Sequence, residues 1–333
     1  MAASSNQPPP EYDDFGFEWG TDGRGGARSD DSLDSESSPG FFTNFRSRRL
    51  ERKWHQFIQD DPKFMQKAQL KNLCRQGVPQ KHRIKVWTHL LSANELKRRN
   101  PGEFERLKTQ EVKEASGNVI DLDITRTFPK HRLFKTAAGQ QRLRAVLRAY
   151  AARNVALGYC QSMNFVAAML MIILRDDELA FWSMVTLIED PKFGFEGYYL
   201  PGMAGLRRDM NVCDLLLQKW EPRMLQRLKQ AGVDSTWLCG QWFLALFCTS
   251  LPMNATLRVW DCIFSEGWKI LFRVTLAVCR SQAREIAQCK TTESLLELVA
   301  TKKWTYNLTD VNGMLKVAFR LTLKRDNLYA FKN

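Results

Sequence analysis

Apolar side chains recur at helical spacing through most of this sequence. From Phe41 onward, Leu50, Trp54, Phe57 and Ile58 share one face of a helix, while Arg46, Arg48, Arg49, Arg52 and Lys53 take the other. The pattern predicts a basic amphipathic helix. A second helix is expected from about Lys63 to Arg75, because Gly77 and then Pro79 supply the usual stop. A third begins after Pro79 and sets Arg83 and Trp87, four apart, on one face. The charged stretch Asn94–Lys113 reads as an exposed helix after the Asn100-Pro101-Gly102 break. Leu143, Val146, Leu147 and Tyr150 mark a helix that runs out near Asn154. Leu157–Asn164 is then a tight polar turn into the apolar helix of Val166, Leu170, Met171 and Leu174. Further helices are expected at about 177–189, 203–230, 236–250, 253–264, 267–289 and 309–324, divided by Gly, Pro and Asn/Asp breaks. With no strand-turn-strand series, the fold class is all-α.

Two stretches depart from the helical pattern. Ile120, Leu122 and Ile124 alternate with polar neighbours, as in a half-buried strand, but the run is short, isolated and stopped by Pro129. We read it as an anchored loop or turn that delivers Arg126. Phe193–Pro201, with Gly194, Gly197, Tyr198 and Tyr199, reads as a loop and a candidate contact surface.

Composition changes the picture mainly at the N-terminus. Residues 1–40 are rich in Ser, Asp, Gly and Pro and nearly empty of aliphatics, so they predict a disordered tail. Within it Tyr12–Trp19 carries aromatics that either dock on a neighbour or partner or stay mobile. The tail holds nine acids and two bases, which leaves 47 bases against 27 acids in residues 41–333. Such a basic body suits anionic lipid or an acidic protein; without a nucleic-acid motif or an aromatic-basic ladder, nucleic acid is not expected. The basic face at 46–53 is either a peripheral membrane contact or a solvated helix face. The eight cysteines include no C-x-x-C pair, which argues against a zinc site or a disulfide framework and for a reducing compartment. No secretory signal or membrane-spanning run is evident, so a cytoplasmic protein is expected, with the cytosolic face of endomembranes as the place of any membrane contact.

Chemistry is best sought at Arg126 and Gln161. Asp123, three residues before Arg126, is placed to hold its guanidinium as a fork of donors suited to phosphate oxygens; the same spacing also serves an ion pair that merely staples a loop. Gln161 carries a carboxamide able to donate to and accept from one water, or else it satisfies backbone groups at a helix N-terminus. Together the two suit phosphoryl chemistry. No G-x-x-x-x-G-K-[ST] cradle is present, so any nucleotide must arrive on another protein. Cys160, the one tempting thiol, reads as a packing residue.

Several separate motifs then fall in one order: Arg75-Gln76-Gly77-Val78-Pro79 with Arg83 and Trp87; Ile120, Asp123, Arg126, Thr127 and Pro129; and Tyr150, Asn154, Gly158-Tyr159-Cys160-Gln161, Met163 and Asn164. Trp242-Phe243, Leu251-Pro252, Arg258-Val259-Trp260-Asp261, Glu266-Gly267 and Phe272-Arg273 follow. Over about Leu70 to Arg280 the sequence resembles the TBC (Tre-2/Bub2/Cdc16) domain, and Phe15-Gly16-Phe17-Glu18 is similar to the growth-hormone-regulated TBC subgroup. The resemblance implies an all-helical domain of two helical subdomains over about 70–325, preceded by the acidic tail (1–40) and the basic helix with its lead-in (41–69). It implies activation of a Rab-type small GTPase in its GTP form, with Arg126 as arginine finger and Gln161 as glutamine finger. Asp123 then orients the arginine, Tyr150, Asn154 and Tyr159 support the glutamine turn, and Arg83 belongs to the surrounding scaffold. GTP and Mg²⁺ are bound by the partner, and the chain needs no cofactor of its own. Where the family usually has Gly after the glutamine, this chain has Ser162, whose side chain would crowd an incoming switch region or alter the turn. The alternative is a catalytically weak scaffold that binds a GTPase or links it to a membrane.

Overall fold

Seventeen helices and two isolated β-bridges make up the regular structure of the described residues. The computed structural model describes residues 12–13, 15–18, 39–59, 67–300 and 310–323. The first helices follow the expected amphipathic pattern. In α1 (Pro39–Gln59) Trp54 and Phe57 are buried while Arg48, Arg49, Arg52 and Lys53 are exposed; the Arg46 side chain lies outside the described residues. The Trp54 indole donates to Gly77 O at 2.7 Å, which fixes α1 to the junction between α2 (Lys67–Gln76) and α3 (Gln80–Leu90). The expected start of α2 at Lys63 lies outside the described residues.

That junction is held from far along the chain. Asp261, fully buried on α14 (Met253–Glu266), accepts from Val78 N at 2.9 Å, Trp87 Nε1 at 2.8 Å, and Arg83 Nε and Nη2 at 3.3 and 3.4 Å. Arg75 grips Glu266 with one guanidinium edge, donating from Nε and Nη2 at 2.6 and 2.7 Å. Burial works to raise the Glu266 carboxyl, but hydrogen bonds from Arg75 and Lys71 hold it below the usual range. Removing one partner of such a buried set costs about 3–5 kcal/mol.

Between these ends α4 (Ala93–Arg99), α5 (Glu103–Thr109), α6 (Glu114–Arg126), α7 (Ala137–Arg153), α8 (Met163–Leu174) and α9 (Asp177–Glu189) form one group, with α5, α6, α8 and α9 around α7 and α4 on α9. A second group contains α10 (Glu196–Tyr199), α11 (Ala204–Trp220), α12 (Pro222–Gln230), α13 (Ser235–Leu244) and α15 (Lys269–Gln288); α14 and α17 (Val311–Arg320) pack on α15, and α16 (Thr292–Ala300) lies between α15 and α17 in sequence. The α8 sequence MNFVAAMLMIIL is apolar all round because neighbours cover nearly every side of it. Side-chain caps start α7 (Thr136), α9 (Asp176), α13 (Asp234) and α17 (Asp310).

The structure corrects several expectations. Residues 120–126 are the last two turns of a helix, not a loop. Ile120 and Ile124, four apart, are buried, whereas Leu122 is 69% exposed, so the apparent alternation came from an apolar residue on the solvent face. Asn94–Lys113 breaks at Asn100-Pro101-Gly102 as expected, with Gly102 in the left-handed region (φ 73°), but the helix after the break buries Phe104 and Leu107 instead of lying exposed. Pro222 begins α12 and so divides 203–230 in two. Phe193–Pro201 is core, not contact surface: Phe193, Phe195, Tyr198 and Tyr199 are buried, and the tyrosines donate to Asp209 Oδ2 (2.6 Å) and Leu244 O (2.8 Å). Helix α16 was not expected. Tail residues 12–13 and 15–18 pack against the body, with one bridge from Phe17 to His131 and a second, Tyr12 to Glu18, within the tail itself; the remaining tail expectation, residues 1–11, 14 and 19–38, lies outside the described residues. All eight cysteines are free and six are buried. Among the described residues no helix is long and apolar enough to cross a membrane.

Candidate active site

Helix α6 ends on Arg126, whose guanidinium Nη2 pairs with Asp123 one turn back. The Arg126 side chain is 51% exposed and the Asp123 side chain is fully buried, so one end of the pair faces solvent and the other is fixed in the protein. The second Asp123 oxygen accepts from Tyr159 Oη at 2.5 Å. Burial first, and then that hydrogen bond, push the Tyr159 phenol up, which keeps the hydroxyl protonated and donating. Beyond Arg126 the helix stops because Thr127 turns extended, Phe128 takes a positive φ of 42° and Pro129 follows. Thr127 Oγ1 donates to Asp123 O at 2.6 Å and accepts from Asn164 Nδ2 at 2.7 Å.

The turn bearing Gln161 is built on the end of α7. Tyr150 is fully buried there, and its carbonyl accepts from Asn154 N at 2.9 Å. Asn154 closes the helix and folds the chain back, accepting from Leu157 N on its side chain (3.1 Å) and from Gly158 N on its carbonyl (2.7 Å). Gly158 is required here: its φ is 65°, and a Cβ would come 2.8 Å from Ser116 Oγ. Gln161 is exposed and makes no hydrogen bond among the described residues. The backbone at the start of α8 is served instead by Asn164, whose Oδ1 accepts from Ser162 N at 3.1 Å. Asn164 thus joins the two segments, with its amide nitrogen on the arginine side and its oxygen on the glutamine side.

Ser162 is buried and sits in the left-handed region at φ 88°. Its hydroxyl accepts from Gln241 Nε2 of α13 at 3.1 Å, so it points into the protein. Left-handed backbone costs a non-glycine residue about 1–2 kcal/mol. The hydrogen bond returns about 0.5–1.5 kcal/mol, which explains how serine is accommodated where glycine would be unstrained.

Of the residues nominated from sequence, Arg126, Asp123, Tyr159, Asn154 and Gln161 lie on two segments stapled by Asp123–Tyr159 and Thr127–Asn164, and Tyr150 lies beneath the glutamine turn. Arg83 is elsewhere, bonded to Asp261 and Gln80. Sequence reasoning assigned no role to Thr127, Asn164 or Gln241. Asn164 carried a signal, a polar residue opening an otherwise apolar helix; Gln241, 79 residues from its partner, carried none. Burial first and the nearby Asp123 charge push the Cys160 thiol up, which disfavours the thiolate. Leu122 and Val119 lie four and seven residues before Arg126 on its own stripe of α6, and Val155 on the glutamine side is 52% exposed, which leaves apolar surface open beside both residues.

A family model described as RabGAP-TBC, Rab-GTPase-TBC domain, matches residues 80–287. The sequence is 35% identical to growth hormone-regulated TBC protein 1-A of Danio rerio, over 83% of this chain and 78% of that protein. The Chlamydomonas flagellar RabGAP TBC domain superposes with a TM-score of 0.73 at 27% identity, covering 84% of this chain and 94% of that one. The Ypt/Rab-GAP domain of Gyp1p does so at 0.68 with 19% identity over 83% and 98%, a likeness of fold.

Proposed function

This chain belongs to the Rab-GTPase-TBC domain family, and on that premise we propose that it accelerates GTP hydrolysis by a Rab-type GTPase in its GTP form. The observation that carries this reading is the pairing of one exposed arginine and one exposed glutamine on segments tied together by Asp123–Tyr159 and Thr127–Asn164. GTP and Mg²⁺ sit on the GTPase. Arg126 offers its guanidinium to the charge that builds on the transferring phosphoryl group, while Gln161 places the attacking water by donating and accepting at once. Neither residue acts as a nucleophile or base. Asp123, held by Tyr159, keeps the arginine oriented before the partner arrives, and the two groups of helices correspond to the two subdomains of such a domain. The test is phosphate release from a panel of GTP-loaded Rab proteins. At least one is expected to respond by about 10³-fold or more, on the scale of arginine fingers. Binding of a Rab with no stimulation of any would favour a capture scaffold instead.

A second reading, contact with an anionic membrane on the cytosolic side, has its own support. Beside the basic face of α1 lies a cavity of about 920 Å³ whose lining includes Arg49, Lys53, Arg75, Arg258, Lys316 and Arg320 and no acid. Vesicles containing anionic lipid are expected to bind the protein better than neutral ones. Reversing Arg48, Arg49, Arg52 and Lys53 to Glu should abolish the difference, each base contributing about 1 kcal/mol at low salt. Equal sedimentation with neutral and anionic vesicles at low salt would end this reading.

A further inference from the structure

Tail residues 12–13 and 15–18 form a hook packed against the segment that follows Arg126. Asp13 shapes the hook: its Oδ1 accepts from Phe15 N (3.0 Å) and Phe17 N (2.8 Å), and its own N donates to Phe17 O at 2.8 Å. Gly16 turns it at φ 92°, where a Cβ would come within 3.0 Å of the His131 and Arg132 side chains. Backbone bonds then run to the body, from Arg132 N to Gly16 O (2.8 Å) and from Glu18 N to Lys130 O (3.4 Å), and Glu18 pairs with Lys135. His131 is held as one tautomer. Its Nε2 donates to Phe15 O at 2.7 Å while Nδ1 accepts from Leu133 N at 3.1 Å, and burial keeps the ring neutral by pushing its pKa down to about 4.

The point of contact with the site is Phe128. Its ring meets Phe17 (centroids 5.5 Å) and Phe165 (5.4 Å), both edge to face. Phe165 is four residues past Gln161, and Phe128 is two residues past Arg126. A non-glycine residue at φ 42° persists only where its surroundings hold it, and here the rings of Phe17 and Phe165 do so. We propose that residues 12–13 and 15–18 are a clip that holds the Arg126-bearing segment in register, with Phe17 as its positioning residue. The effect on rate rests on the GTPase-activator reading above; the effect on the segment does not.

The test compares the full chain with Phe17→Ala and Phe17→Leu. In Phe17→Ala, amide hydrogen exchange over residues 128–134 is expected to speed up about ten-fold while α14 stays unchanged. The maximal single-turnover rate on a responsive Rab should fall about ten- to a hundred-fold, the scale of an ångström-size misplacement. The half-saturating concentration should move by less than about three-fold. Phe17→Leu, which retains most of the apolar volume, should recover most of both. Unchanged exchange at 128–134, an equal rise in α14, or faster exchange with an undiminished maximal rate would each overturn the clip. If the unmodified chain stimulates no Rab, the activator reading falls, while the exchange data still decide whether the hook holds the segment.

Discussion

Arg126→Ala is expected to lower the stimulated rate of GTP hydrolysis by about 10³-fold or more, equivalent to about 4 kcal/mol, while affinity for the GTP-form partner changes only a few-fold. The asymmetry follows from where the guanidinium sits. It is half exposed at the end of α6 and paired with Asp123, so on the proposed reading its strongest interaction awaits charge that exists mainly in the transition state. Arg126→Lys should fail almost as badly, because an ammonium is a point charge and cannot present two parallel donors. Both variants should remain folded, since Asp123 keeps its bond from Tyr159. Single-turnover hydrolysis at saturating protein, with a thermal melt as control, separates the chemical step from binding and folding. Near-normal turnover by Arg126→Ala on its best Rab would remove the activator reading.

The second large effect concerns Gln161. Its side chain makes no hydrogen bond among the described residues, while Asn164 and Gln241 serve the turn around it. Gln161→Ala should therefore leave the turn intact and abolish about 10²-fold or more of the stimulation, on the scale of a lost preorganised hydrogen-bonding group. If Gln161 positions the water, a Rab whose own switch glutamine is changed to Ala should still be stimulated substantially. The opposite pair of results, an inert glutamine-less Rab and an active Gln161→Ala, would assign the water to the partner.

Much of this was legible in the sequence because helical periodicity, capping and breaks are local. The faces of α1 and α3, the end of α7, the extent of α9 and the turn before α8 all follow from residues within a few positions of one another. The Asp123–Arg126 pair was visible for the same reason. The Ile120–Ile124 stretch failed because one exposed leucine imitated a period of two, and only the packing of α6 on α7 shows which of its apolar residues face inward. Phe193–Pro201 failed because glycines and tyrosines read as a surface turn, whereas the phenol hydroxyls find buried acceptors that no local window contains. Ser162 could be flagged as unusual, but the direction of its hydroxyl depends on Gln241, 79 residues away.

The junction centred on Asp261 also has a consequence for biosynthesis. Val78 and its acceptor are separated by 183 residues, and Arg75 and Glu266 by 191. At about 5–20 residues per second, α2 and α3 leave the ribosome about 10–40 s before α14 can reach them. During that interval Trp87 lacks Asp261 and the Trp260 and Phe264 rings it packs against. Closing so long a loop delays the contact further. The third helix in sequence is therefore among the last to be completed, and the nascent chain carries its tryptophan open to a chaperone until the C-terminal half arrives.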